Sequence, residues 1–226
     1  MTSRSVPDPV QVTSGAESAE QARQRRFSML RDFTLADVIT LANGFAGMGA
    51  ILFTLKYLDT REPSLLWYAF ALLPLAGFFD YVDGRVARWR QQHTPLGAQL
   101  DSLADLISFG VAPAVLAFAV GMRGGWDGLV LVYFVGCGLS RLARYNVTCG
   151  DLADESGKVP YFEGTPIPSS MLLVALLAVL LWQGQTHAAL PFGAVQLGPW
   201  LFHPLVLVYL LSGSAMISKT LRIPKP

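Results

Sequence analysis

The sequence predicts an all-α membrane protein of six transmembrane helices with an N-terminal amphipathic juxtamembrane helix. Three observations lead there. Hydrophobic residues make up 52% of the 226-residue chain and charged residues only 15%, with a mean hydropathy of +0.42, whereas a soluble domain carries roughly a quarter charged residues. Six apolar segments, near 35–58, 64–89, 96–121, 126–148, 166–184 and 198–218, each approach the roughly 20 residues that cross a hydrocarbon core. Finally, four aspartates in the second and third segments recur at helical spacing, and ionisable groups at such depth mark function.

Taken in order, residues 1–22 mix Ser, Pro, Gln and Gly without apolar periodicity and predict a disordered cytoplasmic tail. They lack the apolar core of a signal peptide. In 23–34, Arg23, Arg25, Arg26 and Arg31 alternate with Phe27, Met29, Leu30 and Phe33. That pattern suits a helix lying on an anionic leaflet, or simply a charged flank to the first span. Pro63, Pro95, Pro166 and Pro199 mark segment starts, where proline's missing N–H costs nothing. The six-helix domain is expected over 35–218, with a cytoplasmic tail at 219–226.

Orientation follows from the basic residues. Of the 17 Lys and Arg, only Lys56, Arg61 and Arg123 fall on one side, so both termini and the aspartates are expected to face the cytoplasm. The loop at 185–197 has no charged residue, as suits the opposite side. A net charge of +1 carries no message about nucleic acid. Cys137 and Cys149 form no metal or disulfide spacing and read as small packing residues. His93, His187 and His203 form no ligand set and are expected at the surface, while Trp67, Trp89, Trp126, Trp182 and Trp200 suit an interfacial belt.

The chemistry concentrates in DYVDGRVARWRQQHTPLGAQLDSLAD, Asp80 to Asp105. Positions three or four apart share a helix face. The first helix therefore presents Asp80, Asp83, Gly84 and Ala87 together, and the second presents Gly97, Asp101 and Asp105. Thr94-Pro95 between them reads as an N-cap followed by proline at the first helical position. Four converging carboxylates repel unless cations lie between them, and all-oxygen coordination suits Mg²⁺, Mn²⁺ or Ca²⁺. A two-ion site for a diphosphate is the natural inference. Gly84, Ala87 and Gly97 would let such a ligand approach the backbone, and Arg88 offers a planar fork for phosphate oxygens. Asn43, alone in the first span, suits an interhelical hydrogen bond or, alternatively, a ligand contact.

Written as D-x2-D-G-x2-A-R-x8-G-x3-D-x3-D, this stretch resembles the signature of the CDP-alcohol phosphatidyltransferases at every fixed position. The resemblance implies a six-helix enzyme, usually a homodimer, in which an alcohol displaces CMP from a CDP-linked lipid. It implies that Asp80, Asp83, Asp101 and Asp105 hold two Mg²⁺ or Mn²⁺ ions, with Ca²⁺ a non-productive substitute, and that Asp105 is the general base. Asp83, Gly84, Ala87, Arg88, Gly97 and Asn43 would then bind the CDP-lipid.

The fourth segment ends in CGLSRLARYN, where Arg141 and Arg144 share a face near the membrane surface and Asn146 follows. Two arginines there anchor lipid phosphates or form a pocket for an anionic acceptor. RLARYN, FEGTPIP and TLANGFAG resemble the phosphatidylserine synthase branch of the family, with Thr165 standing where a leucine is expected. On that resemblance CDP-diacylglycerol and L-serine are the substrates, and Arg141, Arg144 and Asn146 bind the acceptor. It also points to a bacterial inner membrane. A serine carboxylate suits an arginine clamp, while choline would be repelled; glycerol phosphate and inositol phosphate remain alternatives. A cation transporter is a rival of another class, disfavoured because the other spans lack an acidic relay.

Overall fold

The computed structural model describes residues 35–90, 95–151, 161–218 and 222–224. The expected N-terminal tail, the amphipathic helix over 23–34 and most of the C-terminal tail lie outside the described residues. Helix α1, Leu35–Thr60, is followed after two residues by α2, Pro63–Arg90. Arg61 closes α1 in the left-handed region (φ 61°), its N–H bonded to the Tyr57 carbonyl at 2.8 Å, and Pro63 then opens α2 at a position where no N–H is needed.

Helix α3, Pro95–Asp105, runs through a π-helical turn, Leu106–Val111, into α4, Ala112–Val120. Gly121 (φ 145°) stops it, and α5 spans Gly125–Asp151. Strand β1, Tyr161–Glu163, pairs antiparallel with β4, Arg222–Pro224. A 3-10 turn at Ile167–Ser170 leads into α6, Met171–Trp182, and a second covers His187–Ala189. Strands β2, Val195–Leu197, and β3, Trp200–Phe202, form a hairpin before a third 3-10 turn and α7, Leu207–Ile217.

Among the described residues, four helical spans are long and apolar enough to cross a membrane: Leu35–Thr60, Pro63–Val86, Leu96–Val120 and Gly125–Val147. The first four expected segments thus appear within a few residues of their predicted bounds. The last two do not reach full length. Ile167–Trp182 and Pro204–Ile217 fall in the range of 10–17 residues, short of a hydrocarbon core of ~30 Å at about 1.5 Å per residue. The sixth segment starts at Pro204 and not at 198, because Gly198 (φ 63°) and Pro199 make the turn of the β2–β3 hairpin. An apolar run cannot by its hydropathy distinguish such a hairpin from a helix.

The core gathers Leu66, Leu73, Phe109, Leu116, Phe134, Leu177, Val206 and Tyr209, all fully buried. In lipid the apolar surface gains little from leaving one hydrocarbon for another, so close packing and internal hydrogen bonds hold helices together. Gly47 on α1 lies directly against Ser108 of the π-helical turn, where a Cβ would come within 2.8 Å of the Ser108 Cα. Ser108 Oγ donates to the Asn43 carbonyl at 3.0 Å, and Tyr209 Oη donates to the Pro113 carbonyl at 3.1 Å.

His203 departs from the surface role expected of it. It is buried against α5, where Asp127 accepts from the backbone N–H groups of Gly124 and His203, both at 2.8 Å, and pairs with His203 Nδ1 at 2.6 Å. A carboxylate that satisfies several buried partners fixes the hairpin to the start of α5. Trp126 extends that junction, donating Nε1–H to the Leu197 carbonyl at 2.8 Å and meeting Trp200 edge-on at 5.3 Å. Trp67, Trp89, Trp182 and Trp200 are exposed, as an interfacial belt requires.

Candidate active site

The site is built where α1, α2, α3 and α5 approach one another. Helical phase brings Asp80 from α2 together with Asp101 and Asp105 from α3, so that one carboxylate oxygen of each lies within 4.8 Å of the others. Asp105 is buried and Asp80 and Asp101 are half-buried. Asp83, the fourth predicted ligand, stands beside this trio and outside it. It is buried, and its Oδ2 accepts the Thr40 hydroxyl at 2.8 Å.

Helix α1 contributes the groups that aim these acids. Asn43 is fully buried and donates Nδ2–H to Asp105 Oδ1 at 3.1 Å, the interhelical bond expected of an asparagine in a span. Among the described residues its own Oδ1 has no hydrogen-bond partner, nor has Asp101 Oδ1, although both atoms are buried. Buried acceptors are rarely left unmet, so two oxygens in one small region ask for a donor or a cation. The donor set is hard oxygen throughout. A divalent ion with bonds of roughly 2.1 Å spans opposite ligands about 4.2 Å apart, a small closure from the spacing present. The residues therefore fit such an ion.

Around this cluster the remaining predicted residues divide. Gly84 lies on the same stretch of α2, and a Cβ built there meets nothing within 4 Å, so the helix surface has room for a ligand. Gly97 is half-buried on α3. Ala87 and Arg88 lie on α2, their side chains outside the description. From α5, Arg141 is half-buried, its charge close enough to Asp105 to interact, and its buried Nε has no hydrogen-bond partner among the described residues. Arg144 is exposed on α5. Asn146 binds Ser102 of α3, giving Nδ2–H to Oγ at 3.0 Å, which ties α5 to the helix carrying Asp101 and Asp105.

Residues 33–208 match the family model described as CDP-alcohol phosphatidyltransferase. The chain belongs to that family. It is 45% identical over 206 residues to the CDP-diacylglycerol–serine O-phosphatidyltransferase of Saccharomyces cerevisiae, covering 90% of this chain and 75% of the relative. It is 36% identical over 155 residues to the protein of that name from Mycobacterium tuberculosis, covering 67% of this chain and 51% of the relative. The counterpart from Methanocaldococcus jannaschii is 33% identical over 148 residues, covering 66% of this chain and 62% of the relative. This CDP-alcohol phosphatidyltransferase thus spans three quarters of the yeast relative's length and about half of the mycobacterial one's.

Two site residues of this transferase escaped the sequence reading. Thr40 supports Asp83, and Ser108 holds the Asn43 backbone. Thr40 lies one turn before Asn43 on α1, a spacing that puts both on one face. That spacing was available in the sequence; the identity of the partners was not.

Proposed function

We propose that this chain transfers the phosphatidyl group of CDP-diacylglycerol to the hydroxyl of L-serine, giving phosphatidylserine and CMP. The observation that carries the reading is the meeting of Asp80, Asp101 and Asp105, with the charge of a half-buried Arg141 close to Asp105, in a chain whose relatives bear that enzyme's name. Asp80, Asp101 and Asp105, with Asp83 beside them, would hold two divalent ions, Mg²⁺ or Mn²⁺. When bound, such ions draw charge from the diphosphate and ease departure of CMP.

The protein's own groups do the rest. Asn43 donates to Asp105 Oδ1 and so orients the carboxylate that would accept the serine hydroxyl proton. The serine oxygen then forms a bond to the lipid-side phosphorus as the bond from that phosphorus to the CMP oxygen breaks. Arg141 would clamp the serine carboxylate, a role supported by its charge lying close to Asp105. Gly84, Ala87, Gly97 and Arg88 line the side of the diphosphate and nucleotide, and Asn146 holds α5 in register through Ser102.

In the membrane we place both termini and this site on the cytoplasmic side, from the distribution of basic residues. We read α6 and α7, though shorter than full spans, as the fifth and sixth crossings of a domain over 35–218. The enzyme is further proposed to work as a homodimer. The test is CMP release by purified protein from CDP-diacylglycerol, offering serine, glycerol phosphate, inositol phosphate and choline in parallel, with and without EDTA. Metal-dependent release with serine is expected. Asp101→Asn should abolish it in a folded protein; full activity in that variant would refute the metal role, and release with another acceptor alone would refute serine.

A further inference from the structure

A second polar cluster lies at the far end of the bundle. Tyr57 is about 21 Å along α1 from Asn43 by helical rise. Its hydroxyl meets His187 Nε2 at 2.8 Å, and the two rings stack with centroids 6.2 Å apart. Arg61 follows α1 directly, and Arg123 follows α4. The Arg123 guanidinium is fixed by the Phe118 carbonyl at 3.1 Å and the Ala119 carbonyl at 3.2 Å, over the Phe118 ring. Gly121 passes beneath His187 so closely that a Cβ would lie 2.7 Å from the His187 Cα.

Like charges are gathered here. Burial lowers the pKa of Arg123, and the nearby Arg61 charge lowers it further. His187 is lowered in the same way, by burial first and then by Arg123 and Arg61, and so stays neutral at pH 7. Asp59 and Glu62 flank Arg61 in sequence, yet among the described residues neither arginine forms an ion pair with a carboxylate. The backbone is also strained where the cluster forms. Arg61 (φ 61°) and His187 (φ 54°) both take left-handed conformations without being glycine. Such conformations persist where the surroundings impose them, often at ligand sites.

We propose that Arg61, Arg123, His187 and Tyr57 form a binding site for a phosphate-bearing anion on the side opposite the aspartate cluster. Arg61 and Arg123 contact the phosphate oxygens, and the stacked Tyr57–His187 pair walls the site. Both arginines immediately follow membrane-spanning stretches, Leu35–Thr60 and Leu96–Val120, which sets them at the depth of lipid phosphates. The anion is therefore the phosphate of a lipid headgroup or a free phosphate.

The test measures the thermal unfolding midpoint of the full-length protein in neutral detergent against three probes: short-chain phosphatidylglycerol, short-chain phosphatidylcholine and inorganic phosphate. Phosphatidylglycerol or phosphate should raise the midpoint, with phosphatidylcholine having little effect. A response to phosphatidylglycerol alone assigns a lipid, and an equal response to phosphate assigns the free anion. Arg61→Asn keeps a residue that tolerates the left-handed conformation. It should raise the half-saturating probe concentration about tenfold while leaving CMP release unchanged. Arg123→Gln should do the same to the probe response, and Arg61→Asn serves alone if uncapping α4 unfolds that variant. No response to either anion, or an identical response in Arg61→Asn, would overturn the site.

Discussion

Replacing Thr40 by valine removes a hydroxyl that meets Asp83 and the Ala36 carbonyl, and almost nothing else. The two side chains are nearly isosteric and both β-branched, so α1 has no reason to distort. What the site loses is the 2.8 Å bond from the Thr40 hydroxyl to Asp83 Oδ2, between two buried residues; the 3.0 Å contact with Ala36 lies within α1 itself. A hydrogen bond to a charged acceptor contributes about 1.5–3 kcal/mol, and outer partners of metal-ligating carboxylates are commonly worth about 10–100-fold in affinity or rate. The two scales agree, because 1.4 kcal/mol is about a factor of ten. Thr40→Val should therefore raise the Mg²⁺ concentration for half-maximal CMP release by about 10–100-fold, and Thr40→Ser, which retains the hydroxyl, should restore the wild-type midpoint. Titration of EDTA-stripped enzyme with Mg²⁺ at saturating substrates measures both. A Thr40→Val enzyme with an unaltered metal titration would show that Asp83 needs no aiming.

Two further outcomes test other parts of the arrangement. Arg141→Ala should raise the serine KM about tenfold or more with little change in the CDP-diacylglycerol KM, while Arg144→Ala, exposed on α5, should change either by far less; equal effects would move the acceptor pocket. Gly47→Ala places a Cβ against Ser108, so it should cost about 1–3 kcal/mol as overpacking does, and should also lower activity by pushing α3 and its aspartates away from Asn43. Thermal unfolding together with CMP release detects both effects.

The spacing of Asp80, Asp83, Asp101 and Asp105 announced two acidic helix faces before any coordinates, because carboxylates in an apolar segment are costly and therefore informative. Asn43 stood out for the same reason. Thr40 and Ser108 did not, since a hydroxyl in a membrane helix commonly bonds back to its own turn. Thr40 does so, meeting the Ala36 carbonyl at 3.0 Å as well as Asp83. Only packing selects its second partner. The split between the Asp80–Asp101–Asp105 trio and Asp83 was equally hidden, because helical spacing gives a face and leaves distances within it open.

Elsewhere the sequence misled through hydropathy. Trp200, Leu201 and Phe202 run on toward the apolar span that follows, and only the Gly198-Pro199 turn reveals the hairpin. His203 and Asp127 are separated by most of the chain's second half, so no local pattern could pair them. The same holds for Tyr57 and His187.

The π-helical turn at Leu106–Val111 has a consequence for how the third span divides its labour. A π turn carries one residue more than the α-helical ladder needs, and each residue of an α-helix advances the azimuth by about 100°. Upstream of the turn, Asp101 and Asp105 point according to the demands of ligand chemistry; downstream, Leu116, Ala117 and Val120 point into the packed interior. A single unbroken helix would tie those two directions to one phase, so any gain in packing would swing the carboxylates. The extra residue uncouples them, and lets the half of the span that packs into the interior change in composition without retuning the half that carries the acids.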